Sequence, residues 1–220
     1  MSRVYIHNTD TRSAGLGPAG ATGCSLNDGH LFEVTAAIYY ENADTSKPPI
    51  TTNQIDPTLL LFPNACANEP LNETVPAYAM AVKEPSVTLN FLMTGGENAT
   101  NAFVWWINNV TFLADYNDPT LLEAKLGNYD FPRERAVYDM ANQTSVRIVM
   151  TSVGFPASHP MHIHGHNMQI LAEGFGQWDN KTIVNPSNPQ RRDTQLIRPN
   201  GYLVVQFDLD NPGVWAFHCQ

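Results

Sequence analysis

Short runs of apolar and β-branched residues recur along this chain between clusters of Pro, Gly, Asn and Asp, a pattern of strands and turns. The runs predict strands at residues 31–40, 86–93, 103–108, 145–152, 168–173, 202–209 and 213–217. One short helix is expected over 119–126, where Asp118 could cap and Pro119 suits the first turn. Strands of this length and spacing point to an all-β chain, a Greek-key sandwich or barrel. No internal repeat is visible.

The same periodicity divides the chain. It fades over residues 48–85, a proline-rich stretch that reads as a linker between two domains. Residues 1–47 hold one convincing strand and read as the C-terminal remnant of a preceding domain. Residues 86–220 read as a nearly complete β-domain. A chain of 220 residues is long enough to bury a real core.

Composition narrows the function classes. Only 15% of the residues are charged, which suits a loop-rich all-β protein and not a helical bundle or a disordered tail. The formal charge of -9, with Arg191 and Arg192 as a lone basic pair, argues against a nucleic-acid or anionic-membrane partner. No apolar run reaches membrane-spanning length. The opening residues lack the apolar core of a signal peptide, yet five Asn-x-Ser/Thr sequons start at Asn72, Asn98, Asn109, Asn142 and Asn180. Together these favour a secreted, extracellular glycoprotein in which Met1 is an internal methionine of a longer chain. Cys24 and Cys66 could pair in an oxidising compartment, or stand as unrelated thiols. Cys219 has a different neighbourhood and a different expected role.

The candidate chemistry lies in His159-Pro160-Met161-His162-Ile163-His164-Gly165-His166 and in His218-Cys219-Gln220. Imidazole and thiolate together favour copper or zinc. On a strand, successive side chains point to opposite faces, so parity assigns each ligand to a site. His162 and His164 share a face, and His218 would join them. His159 lies three positions before His162 and points the other way, as Cys219 does relative to His218. The pattern predicts two metal sites joined through the adjacent pair His218-Cys219, with Pro160 as the weak point if it kinks the strand. Alone, a His-x-His is often a zinc site, a cupin-like site or nothing, and a buried Cys is usually inert packing. His166 has the parity to join the even set but reads as packing behind the ligands. His7 and His30 belong to no cluster.

These motifs resemble a known family. The first resembles the His-Pro-x-His-x-His-Gly motif of multicopper oxidases, and Asp210–Cys219 resembles the stretch leading into that family's His-Cys-His. Arg191-Arg192-Asp193-Thr194, the segment 201–207 and Phe103-Val104-Trp105-Trp106-Ile107-Asn108 look like the corresponding parts of fungal laccases of the ascomycete type. The resemblance is close over 103–220 and looser over 1–102. It implies a cupredoxin-like (plastocyanin-like) fold and an oxidoreductase. His159 and Cys219 would bind the type 1 (blue) copper, His162 the type 2 copper, and His164 and His218 the type 3 pair. The blue site would take electrons singly from a phenol or aromatic amine and pass them through Cys219 and His218 to a cluster that reduces dioxygen to water. A monomer is expected.

Gln220 departs from the motif, standing where the second His of His-Cys-His belongs, and an amide is a poor substitute for imidazole at copper. The chain is therefore expected to be a C-terminal fragment, incomplete at both ends and lacking its last strand. Its copper would be held weakly, and it would be inactive alone. An intron that splits a His codon after C and A would explain the ending, because reading into a donor that begins GTAA gives CAG, a Gln, and then a stop. An open sheet edge would lower solubility. Competing readings are a non-catalytic copper-binding or electron-transfer cupredoxin module, a glycoprotein that has lost its metal sites, and a zinc hydrolase. The last lacks an obvious carboxylate base beside the histidines.

Overall fold

The computed structural model describes residues 68–154 and 157–219, positions 44 and 46, and the strands β1 (Val4–Asn8) and β2 (Val34–Ile38). Cys24, Cys66, His30 and Gln220 lie outside the described residues. Two compact units separate, Met1–Ala67 and Asn68–Gln220. In the first, β1 and β2 pair antiparallel with Val4 opposite Ile38. The run at 31–40 contains β2, whereas β1 is too short to show a period before it ends at His7 and Asn8.

The second unit is a β-sandwich. Its strands are β3 (Val87–Glu97), β4 (Phe103–Ile107), β5 (Ser145–Ser152), β6 (His159–Ile163), β7 (Met168–Phe175), β8 (Arg191–Arg192), β9 (Thr194–Ile197), β10 (Gly201–Asp208) and β11 (Phe217–Cys219). A large sheet runs in the order β4-β3-β5-β10-β7-β8, and a small one in the order β11-β6-β9. From β5 onward the chain crosses repeatedly between the sheets, so their inner faces close on one core. Met150, Met161, Met168, Ile170 and Leu203 lie at its centre, each at most 1% exposed.

Burial explains which strands were legible. In β7 and β10 five consecutive residues are buried, Met168–Ala172 and Leu203–Phe207, because a second cluster around Leu171, Ala172 and Val204 is covered on the outer face by Val82, Trp178 and Ile183. Such strands read as continuous apolar runs. In β6 burial alternates, with His159, Met161 and Ile163 facing inward and Pro160 and His162 facing away. Pro160 does not break the strand, whose pairing with β9 runs from His159–Ile197 through His162–Thr194. Residues 68–83 lie against this unit: Asn68 Nδ2 donates to the Leu196 carbonyl at 2.8 Å, and Val82 N to the Pro186 carbonyl at 2.8 Å.

Two local expectations change. The helix is α1 (Thr120–Leu126), ended by Gly127 at φ 83°, but its N-cap is Pro119 and no side chain caps it. Asp118 is instead drawn to the buried Arg135, its Oδ2 lying 2.6 Å from Nη2, because that cation needs a counter-charge more than the helix needs a cap. The last strand begins at Phe217 rather than at 213. Residues 213–216 turn over the end of β6, where the Trp215 indole N–H donates to the Asn211 carbonyl at 2.8 Å.

Candidate metal centre

β6 and β11 bring the two histidine motifs together. They pair antiparallel with His218 opposite His162 and Cys219 opposite Met161. His164 lies just beyond β6, its N–H donating to the Ala216 carbonyl at 3.0 Å. On the outward face, the ring nitrogens of His162, His164 and His218 come within 4.8 Å of one another. On the inward face, Cys219 Sγ is 3.6 Å from His159 Nδ1.

Hydrogen bonds fix which nitrogens are available. A carbonyl only accepts, so His162 Nδ1, 2.9 Å from the Asp193 carbonyl, carries its proton and leaves Nε2 with a lone pair. Thr194 Oγ1 sits 2.9 Å from the same Nδ1. His218 Nδ1 is likewise 3.0 Å from the Cys219 carbonyl. The Nε2 atoms of His164 and His218 stand 2.9 Å apart, so His164 donates and His218 accepts when both rings are neutral. Holding Nδ1 with an outer partner while Nε2 faces the centre is the arrangement metal-ligating histidines adopt.

Of the inner pair His159 is buried, whereas Cys219 is an exposed residue whose thiol is partly covered. His159 is 7% exposed and packs edge-on against the Trp105 ring, centroids 4.5 Å apart. Burial pushes the His159 imidazole below its ordinary value and the Cys219 thiol above its own, so both stay neutral without a metal. A thiolate would need a cation to stabilise it.

Both sets fit a small, borderline-soft ion. With zinc-like bond lengths, a sulfur and a nitrogen on one tetrahedral ion stand about 3.6 Å apart, and two nitrogens about 3.3 Å. The observed 3.6 Å matches the first, and the 2.9 Å between His164 and His218 requires only a small opening. His162 and His164 line a cleft of about 650 Å³, whose wall also carries His166, Arg191, Asp193 and Asp208.

His166 does not join the trio. Its ring is buried between Phe207 and Trp215. His7 lies in β1. Asp193 and Thr194, which hold His162 from behind, carry no local sequence signal for that contact, since it is made across the β6–β9 pairing.

A multicopper oxidase family profile matches residues 85–220, and the chain belongs to that family. Among its relatives, Laccase-1 of Botryotinia fuckeliana is 30% identical over 201 residues, covering 90% of this chain and 34% of that protein. The solved laccase of Botrytis aclada is 29% identical at a TM-score of 0.63, covering 84% of this chain and 33% of that one. Fet3p, a multicopper oxidase that functions in iron import, aligns at a TM-score of 0.57 with 22% identity, over 86% of this chain and 37% of that one, and shows the fold alone. The fold is all-β and cupredoxin-like, and the chain is laccase-like. It spans about a third of the length of the curated relatives it matches.

Proposed function

We propose that this chain carries copper-ligating residues of a laccase-like oxidase. His159 and Cys219 serve a type 1 site, His162 a type 2 site, and His164 and His218 a type 3 pair. The observation that supports this most is adjacency: consecutive residues of β11 face opposite sides, and each meets a different histidine set. Bound copper would supply the one-electron chemistry by which phenols or aromatic amines are oxidised and dioxygen is reduced to water. The chain's own part is to hold the ligands. Asp193 and Thr194 orient His162, the Cys219 carbonyl orients His218, and burial keeps water from His159. The bonds from Cys219 Sγ to the His218 ring give the shortest covalent route between the two faces.

The described residues bring an imidazole and a thiol to one site and three imidazoles to the other. Copper held by so few ligands is labile, and the chain tested alone is expected to be inactive as an oxidase. In this reading the protein is a secreted, monomeric glycoprotein, supported by the exposure of Asn72, Asn109, Asn142 and Asn180 in their sequons. Copper titration of the chain tests the reading. A blue thiolate band that is lost in Cys219→Ser, with part of the copper retained by the trio, is the expected result. A chain that binds no copper, or a band that survives Cys219→Ser, overturns it.

A further inference from the structure

We propose that His166, outside both ligand sets, is the positioning residue that sets the spacing of His164 and His218, acting as one clamp with Gly165, Asn211 and Trp215. The inference rests on the trio being a metal site and assigns the device that holds it open to the right width.

Three backbone polar groups of the turn after β6 are tied to this clamp. The His164 N–H donates to the Ala216 carbonyl at 3.0 Å. The His164 carbonyl accepts from His166 Nδ1 at 3.1 Å, which puts that ring's proton on Nδ1. The Gly165 carbonyl accepts from Asn211 Nδ2 at 2.9 Å. Gly165 has φ +67°, and a Cβ there would stand 2.7 Å from the Trp215 ring. That ring lies edge-on to His166, with centroids 5.8 Å apart. Asn211, Trp215 and Ala216 belong to the segment that delivers His218, so one set of contacts fixes both histidines.

The bland alternative is that His166 only fills an aromatic slot between Phe207 and Trp215. Its chemistry argues otherwise. The ring is 8% exposed, and its Nε2 is buried with no hydrogen-bond partner. Phenylalanine would fill the slot without desolvating a lone pair. What histidine adds is the Nδ1–H that closes the His164 turn.

The test uses the 220-residue chain carrying Cys219→Ser, so that only the trio reports, with Cu(II) as the probe. His166→Phe keeps the ring and removes the donor; His166→Asn restores an N–H near the Nδ1 position. His166→Phe is expected to weaken Cu(II) binding about tenfold or more and to alter its EPR hyperfine pattern, as loss of a supporting contact does. His166→Asn should return both to within about twofold of the parent. In the metal-free chain, the ring nitrogen shifts of His164 and His218 should move in the Phe variant and not in the Asn variant. Unchanged binding and spectra in His166→Phe overturn the inference, because packing alone would then suffice, and so does a His166→Asn variant as weak as His166→Phe, because returning the N–H would then restore nothing. A parent that binds no Cu(II) overturns the metal reading itself, and with it this one. Should His166→Phe fail to fold, Asn211→Ala removes the Gly165 contact instead, and an unchanged Cu(II) affinity there also overturns the clamp.

Discussion

Gly165→Ala strains the turn between the two histidine motifs in two separable ways. At φ +67° a Cβ costs about 1–2 kcal/mol in backbone strain. The same Cβ would meet Trp215 Cε3 at 2.7 Å, so the ring must move by about 0.7 Å to reach ordinary contact near 3.4 Å. Trp215 is 39% exposed and has room to give, but its indole N–H is held by the Asn211 carbonyl at 2.8 Å. Displacing it therefore costs about 1 kcal/mol, at the low end for overpacking. The sum, about 2–3 kcal/mol, lowers Tm by about 4–12 °C for a domain of this size.

Thermal unfolding of Gly165→Ala, Trp215→Ala and the double variant separates the two contributions. In the Trp215→Ala background the clash is gone, and Gly165→Ala should cost only the backbone strain. The coupling between the sites is then about 1 kcal/mol. If Gly165→Ala leaves Tm unchanged, or costs the same with and without the indole, the account of this turn is wrong.

Three other perturbations probe separate parts of the unit. Asp179 accepts from the Thr182 hydroxyl at 2.5 Å and from the amides of Thr182 and Lys181, and these bonds hold its carboxyl down at about 2 from an ordinary 3.8. The folded value is the lower one, so this stabilisation is full above pH 3.8 and is lost as pH falls toward 2; a carboxyl NMR titration midpoint near 3.8 would contradict it. Arg135→Met removes a 7% exposed cation from Asp118 and Asp115, which are about half exposed and well screened, so the expected loss is only about 1–2 kcal/mol. The loss should be local: the Leu113 amide, bonded to the Glu134 carbonyl at 2.9 Å, should exchange faster while the core amides of β5 and β10 do not. Thr194→Val keeps shape but loses the hydroxyl 2.9 Å from His162 Nδ1, leaving the Asp193 carbonyl as its hydrogen-bond partner; Cu(II) binding by the trio should weaken about two- to tenfold, and no change would show that the hydroxyl is idle.

What the sequence reveals here follows burial. β5, β7 and β10 read as apolar runs because at least one of their faces, and mostly both, is covered. β6 and β9 alternate over so few residues that no run forms, and β8 is a two-residue pairing of arginines. Parity nevertheless grouped His162 with His164 and His218, and His159 with Cys219, as they lie in space, since alternation is a property of any extended chain and needs no run. Contacts made across strands left no trace. Thr194 behind His162, Arg135 taking Asp118 away from α1, and Trp105 beside His159 each join residues that only the sheet pairing or a folded loop brings together.

The two candidate sites depend on one register. With His218 opposite His162 and Cys219 opposite Met161, β11 sends imidazole outward and thiol inward. A slip of a single residue would reverse every side chain of β11, turning His218 toward the core and Cys219 toward the trio. Both candidate sets would be lost together, so whatever fixes this register protects both. Phe217 resists the slip, because it is opposite Ile163 and packs on the main core with its ring 6.1 Å from that of Phe91. A one-residue slip would put His218 or Ala216 in its place, either of which sacrifices apolar burial, and the first also desolvates an imidazole. The Ala216 carbonyl, bonded to the His164 N–H, pins the chain just before the strand begins. Three pairings suffice for β11 because its start is fixed twice over, by apolar burial at Phe217 and by a hydrogen bond at Ala216.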